Sequence, residues 1–171
     1  MEKIQYHPEF LTATILNWTP ILKHEDYKDI VVNSLQYLVA NRQIFLYSYC
    51  IMDNHIHLIW QMRGDHRKVE VRRSFFRFTA QKIIIKLQNE NSKLLNHFRS
   101  TQADRKYHIW ERRPLGVELF SEKVLLQKLH YIHQNPVKAK FVNNQEDYRY
   151  SSARYYLDGI DSFGMLSHYN G

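Results

Sequence analysis

A chain of 171 residues with 44% hydrophobic and 14% aromatic side chains suits one folded domain with a substantial core. A single cysteine excludes an internal disulfide framework and a cysteine-rich zinc site, and five glycines with four prolines argue against long disordered linkers. The net charge of +7 points to a polyanionic partner, of which nucleic acid is the commonest. No stretch approaches the roughly 18 apolar residues of a membrane span, and the opening MEKIQYHPEF has no apolar signal-peptide core. The expectation is a soluble, cytoplasmic protein with no membrane contact.

In chain order, residues 10–18 (FLTATILNW) mix Thr, Ile and Phe and predict a first strand. Residues 24–43 place acids early and recur in Val31, Leu35 and Leu38, the spacing of an amphipathic helix. The β-branched and aromatic run IFLYSYCIM, a turn at Asp53-Asn54 and the run HIHLIWQ predict a β-hairpin over 44–61, with Cys50 a buried strand residue. Residues 66–90 predict a second helix with Phe76, Ala80, Ile83 and Leu87 as its apolar stripe. Arg73, Arg77, Lys82 and Lys86 fall on its other faces, where they either lie along a phosphate backbone or are simply solvated. The segment NSKLLNHFRSTQADR reads as the helix end and a polar loop.

YHIWERRPLGVELF predicts two short strands around a turn at Pro114-Leu115-Gly116, and Ser121 then caps a third helix that Asn135-Pro136 should stop. The order β-α-β-β-α-β-β-α predicts an α+β fold, an antiparallel sheet backed by helices. There is no internal repeat, no GxGxxG and no P-loop, so no nucleotide cofactor is expected.

Two features carry chemistry. In a strand, successive side chains leave opposite faces, so His55 and His57 share one side while Ile56, Leu58 and Trp60 take the other. Two imidazoles on one face are half of a metal site, although a strand histidine is often only a hydrogen-bonded core residue. On the third helix, Val124, Lys128, Tyr131 and Asn135 fall on one face, while Leu125, Leu129 and Ile132 suffice to dock a neighbouring one. A tyrosine hydroxyl attacks a phosphodiester only if its proton is removed and the phosphate charge is neutralised. Lys128 would hold the anion or ease loss of that proton, and Asn135 would offer an oxygen to Mg²⁺ or Mn²⁺ beside His55 and His57.

The blocks MDNHIHLIW, LHYIHQNPVKAKFV and YRYSSARYY, in this order, resemble the single-tyrosine HUH transposases, specifically the REP-associated tyrosine transposase group. The resemblance covers residue 10 to about 156 and implies a ferredoxin-like α+β domain, with the HUH motif (histidine, hydrophobic residue, histidine) on a central strand and the catalytic tyrosine on a C-terminal helix. It casts His55 and His57 as metal ligands, Tyr131 as nucleophile and Asn135 as a further metal ligand. It also implies DNA contacts from Arg149, Ser152 and Arg154, unless residues 143–171 are only a folded C-terminal cap on a single domain 1–171. Residue 140 is lysine where the family pattern leads one to expect glycine.

The implied function is a prokaryotic, nucleoid-associated, metal-dependent endonuclease and strand transferase of single-stranded DNA. It would act at hairpin or palindromic elements through a 5'-phosphotyrosine intermediate, with Arg73 and Arg77 gripping phosphates. Related insertion-sequence enzymes are dimers that exchange the tyrosine helix, whereas this group looks monomeric, and a monomer is expected. Two alternatives stand beside this: a domesticated DNA-binding protein without catalysis, and a metal-dependent phosphodiesterase in which water attacks.

Overall fold

The structure, a computed structural model, describes residues 6–171, so the first half of the opening segment MEKIQYHPEF lies outside it. Four strands, β1 (Glu9–Thr14), β2 (Ile44–Ile51), β3 (His55–Met62) and β4 (Leu115–Glu118), form one sheet in the order β2-β3-β1-β4, with every neighbouring pair antiparallel. With α1 (Glu25–Ala40) joining β1 to β2 and α2 (Lys68–Asn89) joining β3 to β4, this is the ferredoxin-like βαββαβ arrangement. A third helix, α3 (Glu122–Lys138), follows, then a short α4 (Ala153–Asp158).

The period-2 pattern divides the sheet into two cores. Leu11, Ala13, Ile56, Leu58 and Trp60 pack with Val31, Leu35 and Leu38 of α1 and with Val71, Phe75, Ile83 and Leu87 of α2. On the opposite face Phe10, Ile59, Cys50 and Tyr47 meet Leu125, Leu129 and Ile132 of α3. His55 and His57 belong to that second face, so α3 covers the side of the sheet on which the two imidazoles lie.

Five expectations are corrected. The first strand ends at Thr14, and residues 16–18 turn as a 3-10 helix in which Asn17 and Trp18 are left-handed. The buried stripe of α2 runs through Phe75 and Thr79 rather than Phe76 and Ala80. With two adjacent phenylalanines both registers fit the spacing, and Thr79 tolerates burial because its hydroxyl donates to the Phe75 carbonyl at 2.9 Å and accepts from Trp110 Nε1 at 3.0 Å.

The expected strand over YHIW is only two isolated bridges, Tyr107 with Arg99 and Trp110 with Ile15; at the second, Leu16 N donates to the Ile109 carbonyl and Glu111 N to the Thr14 carbonyl, extending the β1 edge. Gly116 sits inside β4 rather than in a turn. A Cβ there would lie 2.6 Å from Glu9 Oε1, whose buried carboxylate is held by Arg72 and by Trp60 Nε1, so the glycine is required by close approach.

Pro136 does not stop α3. It sits in the last turn, where the missing N–H forfeits one bond, and the helix runs to Lys138. It closes with Phe141 N donating to the Pro136 carbonyl and Lys140 N to the Val137 carbonyl, each at 2.9 Å, a Schellman motif. Lys140, at φ +60°, occupies the left-handed position. This is the residue where glycine was expected, and the turn keeps its geometry at the cost of strain. Lys140→Gly should therefore stabilise the fold by about 1 kcal/mol, read as a higher urea midpoint at unchanged m-value.

The C-terminal segment covers the otherwise open β2 edge. Ile51 N donates to the Tyr150 carbonyl, Ser152 N to the Tyr49 carbonyl and Ser167 N to the Leu46 carbonyl, while Tyr150 and Met165 enter the first core.

Candidate active site

The turn between β2 and β3 is fixed before the histidines begin. Lys28, buried on α1, pairs with Asp53 at 3.0 Å, and Leu22 N donates to the Asp53 carbonyl. Asn54 then accepts from His55 Nδ1 through its side-chain oxygen at 2.8 Å. The antiparallel register sets Thr12 of β1 opposite His57, and the Thr12 hydroxyl lies 2.9 Å from His57 Nδ1. With Asn135 Nδ2 donating to His57 Nε2 at 3.1 Å, the proton of His57 is on Nδ1 and its Nε2 lone pair, directed toward α3, is taken up by that amide.

Both imidazoles thus have Nδ1 tied to an oxygen, and turning the Asn135 amide aside would leave Nε2 of His57 as an electron-pair donor, the arrangement in which histidines bind metals. Burial lowers the pKa of both; for His57 the charges of His55 and Lys128 add to it, bringing it down to about 3. Neither ring need lose a proton to bind a cation near neutrality.

Tyr131 stands over this pair. Its ring centroid is 5.3 Å from that of His57 and 6.0 Å from that of Phe10, which itself stacks on His57 at 5.6 Å. Tyr131 is 42% exposed, so the docking face of α3 leaves it facing solvent. Lys128 and Lys138 each hold an ammonium 5.8 Å from the tyrosine ring centre. The site therefore brings together two imidazoles, an amide, a solvent-facing phenol and two cations, a set suited to an anionic ester.

Among the described residues no group of three or more His, Cys, Asp or Glu could hold a metal. The site fits a divalent cation only if Asn135 turns its Oδ1 inward and substrate or water oxygens supply the remaining positions.

The structure brings together His55, His57, Lys128, Tyr131 and Asn135 but not the residues expected to contact DNA. Arg73 and Arg77 line a separate groove of about 1030 Å³ between α2 and residues 102–114, with Arg105, Lys106 and Arg112. Arg149 and Arg154 are exposed in a cleft that also carries Glu146, Asp147 and Asp158; Arg149 lies 3.5 Å from Glu25 and Arg154 3.9 Å from Asp158. Ser152 is corrected: it is 1% exposed, its hydroxyl bonded to Ser48 at 2.8 Å and to His133 Nε2 at 2.9 Å, so it pins the C-terminal segment to the sheet and is closed to any surface ligand.

Burial lowers His133 to about 4. Its depressed native value means that the unfolded chain takes up the proton first, so this contribution is complete above about pH 6.5 and is lost as pH falls toward 4. Stability should drop by roughly 2 kcal/mol from this group between pH 7 and 5, and His133→Gln should flatten that part of a stability–pH curve.

Sequence reasoning missed Thr12, Phe10, Asn54 and Lys138 as site residues. Asn54 was open to view beside His55. Thr12 and Phe10 reach the site only through the β1–β3 pairing, which no local pattern encodes.

The arrangement defines a class: an α+β domain in which a helix tyrosine faces two strand histidines. No protein-family model matches the chain. A Haemophilus influenzae protein assigned by name to the REP-associated tyrosine transposases is 29% identical over 103 residues, 60% of this chain and 55% of that protein, so the match spans about half the length of that relative. Among solved structures, a REP-associated tyrosine transposase bound to a REP hairpin superposes with a TM-score of 0.65 at 18% identity, covering 98% of this chain and 89% of that one. A Deinococcus radiodurans protein assigned to the transposases gives 0.50 at 15% identity, covering 78% and 92%. The fold is that of these proteins, and the likeness agrees with the REP-associated tyrosine transposase group that the motifs resemble.

Proposed function

We propose that the chain is a divalent-metal-dependent nicking and rejoining enzyme for single-stranded DNA at hairpin-bearing sites. The observation that carries this reading is the solvent-facing ring of Tyr131 packed 5.3 Å from His57, whose Nε2 is directed at Asn135 on the same helix. Tyr131 Oη attacks the scissile phosphorus, losing its proton to solvent. The bond to the 3'-oxygen breaks, that oxygen takes up a proton as a free 3'-hydroxyl, and the 5'-phosphate stays on the tyrosine. Attack by a second 3'-hydroxyl reverses the step and joins strands without ATP. Mg²⁺ or Mn²⁺ held by His55, His57 and Asn135 would supply charge stabilisation at the phosphate oxygens. Lys128 and Lys138 hold the same anion from the helix side, and Arg73 and Arg77 grip phosphates of the flanking DNA in their own groove.

The chain acts as a monomer in this reading, with α3 packed on its own sheet. Light scattering should give a mass near 20.8 kDa. Cleavage of hairpin-bearing single strands should leave a free 3'-hydroxyl and a 5' end that a kinase can label only after protease and phosphotyrosyl removal. Directly labelled or free 5'-phosphate ends would instead support attack by water, and binding without cleavage the non-catalytic reading.

A further inference from the structure

Beside the histidines stands an aromatic side chain that belongs to neither hydrophobic core. Trp18 is 61% exposed, and its ring centroid lies 6.0 Å from that of His55 at an interplanar angle of 69°. Its backbone is costly: Asn17 at φ +54° and Trp18 at φ +56° are two successive non-glycine residues in the left-handed region, which disfavours bulky side chains. The turn is held there from several sides. Asn17 N donates to Glu111 Oε1 at 2.8 Å, Leu16 N to the Ile109 carbonyl at 2.7 Å and Trp18 N to the Ile15 carbonyl at 2.9 Å. Asn54, whose oxygen also orients His55, donates its amide to the Trp18 carbonyl at 3.3 Å. Strain kept by so many contacts, at a site rather than in a remote loop, is the pattern of a positioned functional group.

An indole face open to water and one ring away from His57, with Lys128 and Lys138 beyond it around Tyr131, suits a planar, apolar-faced ligand tethered to a phosphate. A nucleobase meets that description, and base–aromatic stacking tolerates any sequence because every base has a π-face. Glu111, which anchors Asn17, also forms part of the rim of the basic groove lined by Arg73 and Arg77, so the Trp18 turn adjoins both surfaces. Resting on the DNA reading above, we infer that Trp18 is a stacking platform for a base next to the scissile phosphate, fixing which phosphate reaches Tyr131.

The chain carries its own probe. Of its three tryptophans, Trp60 and Trp110 are 0% and 5% exposed, so Trp18 is the one that solvent reaches. Oligothymidylate and hairpin-bearing single strands should quench the emission of the full-length protein and shield it from acrylamide, while anisotropy of a labelled oligonucleotide measures binding independently. Trp18→Ala should weaken binding roughly ten- to a hundred-fold, and Trp18→Phe should keep most of the affinity while losing the emission change. An abasic nucleotide at the stacked position should erase the difference between wild type and Trp18→Ala. Binding by anisotropy with unchanged emission and acrylamide access, or equal affinity in Trp18→Ala, overturns the assignment and leaves the nuclease reading standing. Failure of every oligonucleotide to bind overturns both.

Discussion

Tyr131→Phe should abolish covalent attachment to DNA and lower strand cleavage and joining by about four orders of magnitude or more, since the substitution deletes the one atom that becomes bonded to phosphorus. Tyr131 is 42% exposed and keeps its ring contacts with His57 and Phe10 as phenylalanine. Thermal stability should therefore move by no more than about 0.5 kcal/mol, and oligonucleotide binding should persist. Denaturing gels of labelled DNA, run beside a thermal melt, separate loss of chemistry from loss of fold. Retained cleavage in this variant would assign the attack to water.

The second large effect is expected at His57. His57→Ala removes one of two converging imidazole nitrogens and should lower metal-dependent cleavage by about a thousand-fold or more, because neither Asn135 nor Lys128 can replace a neutral nitrogen donor. Thr12→Val, which only unties His57 Nδ1, should cost a smaller factor of roughly ten to a hundred in metal affinity. The gradient between the two is the informative result. A purely structural His57 would show equal damage from both variants, in melting temperature rather than in dependence on Mn²⁺ concentration. Because burial brings His57 down to about 3, its imidazole stays neutral throughout the physiological range, and cleavage should show no step near pH 6.5 from this group.

Much of this site could be read along the chain because its parts are local. The strand period alone put His55 and His57 on one face, and the helix period alone put Lys128, Tyr131 and Asn135 on one stripe clear of Leu125, Leu129 and Ile132. Juxtaposing the two needed the motif resemblance, since α3 meets β3 across about 75 residues of sequence. What was not legible depended on pairings of the same long range.

Thr12 becomes a site residue through the β1–β3 register. Ser152 looks like a surface serine in YRYSSARYY until the segment is laid on the β2 edge. The Gly116 turn was a reasonable reading of Pro-Leu-Gly, and only the Glu9 carboxylate beside it reveals a different need for glycine. Pro136 illustrates a limit of punctuation rules: near a helix C-terminus the missing donor costs one bond, and the Schellman closure around Lys140 outweighs it.

The central claim is that Tyr131 is the atom-bearing nucleophile at a two-histidine metal site. The most direct test incubates the protein with hairpin-bearing single-stranded DNA and Mg²⁺ or Mn²⁺, digests the denatured product with trypsin and maps the nucleotide-linked peptide by mass spectrometry. A metal-dependent adduct on Tyr131, absent from His57→Ala, is the predicted result. Cleaved DNA with no linked peptide, or a linkage at any other residue, would contradict it.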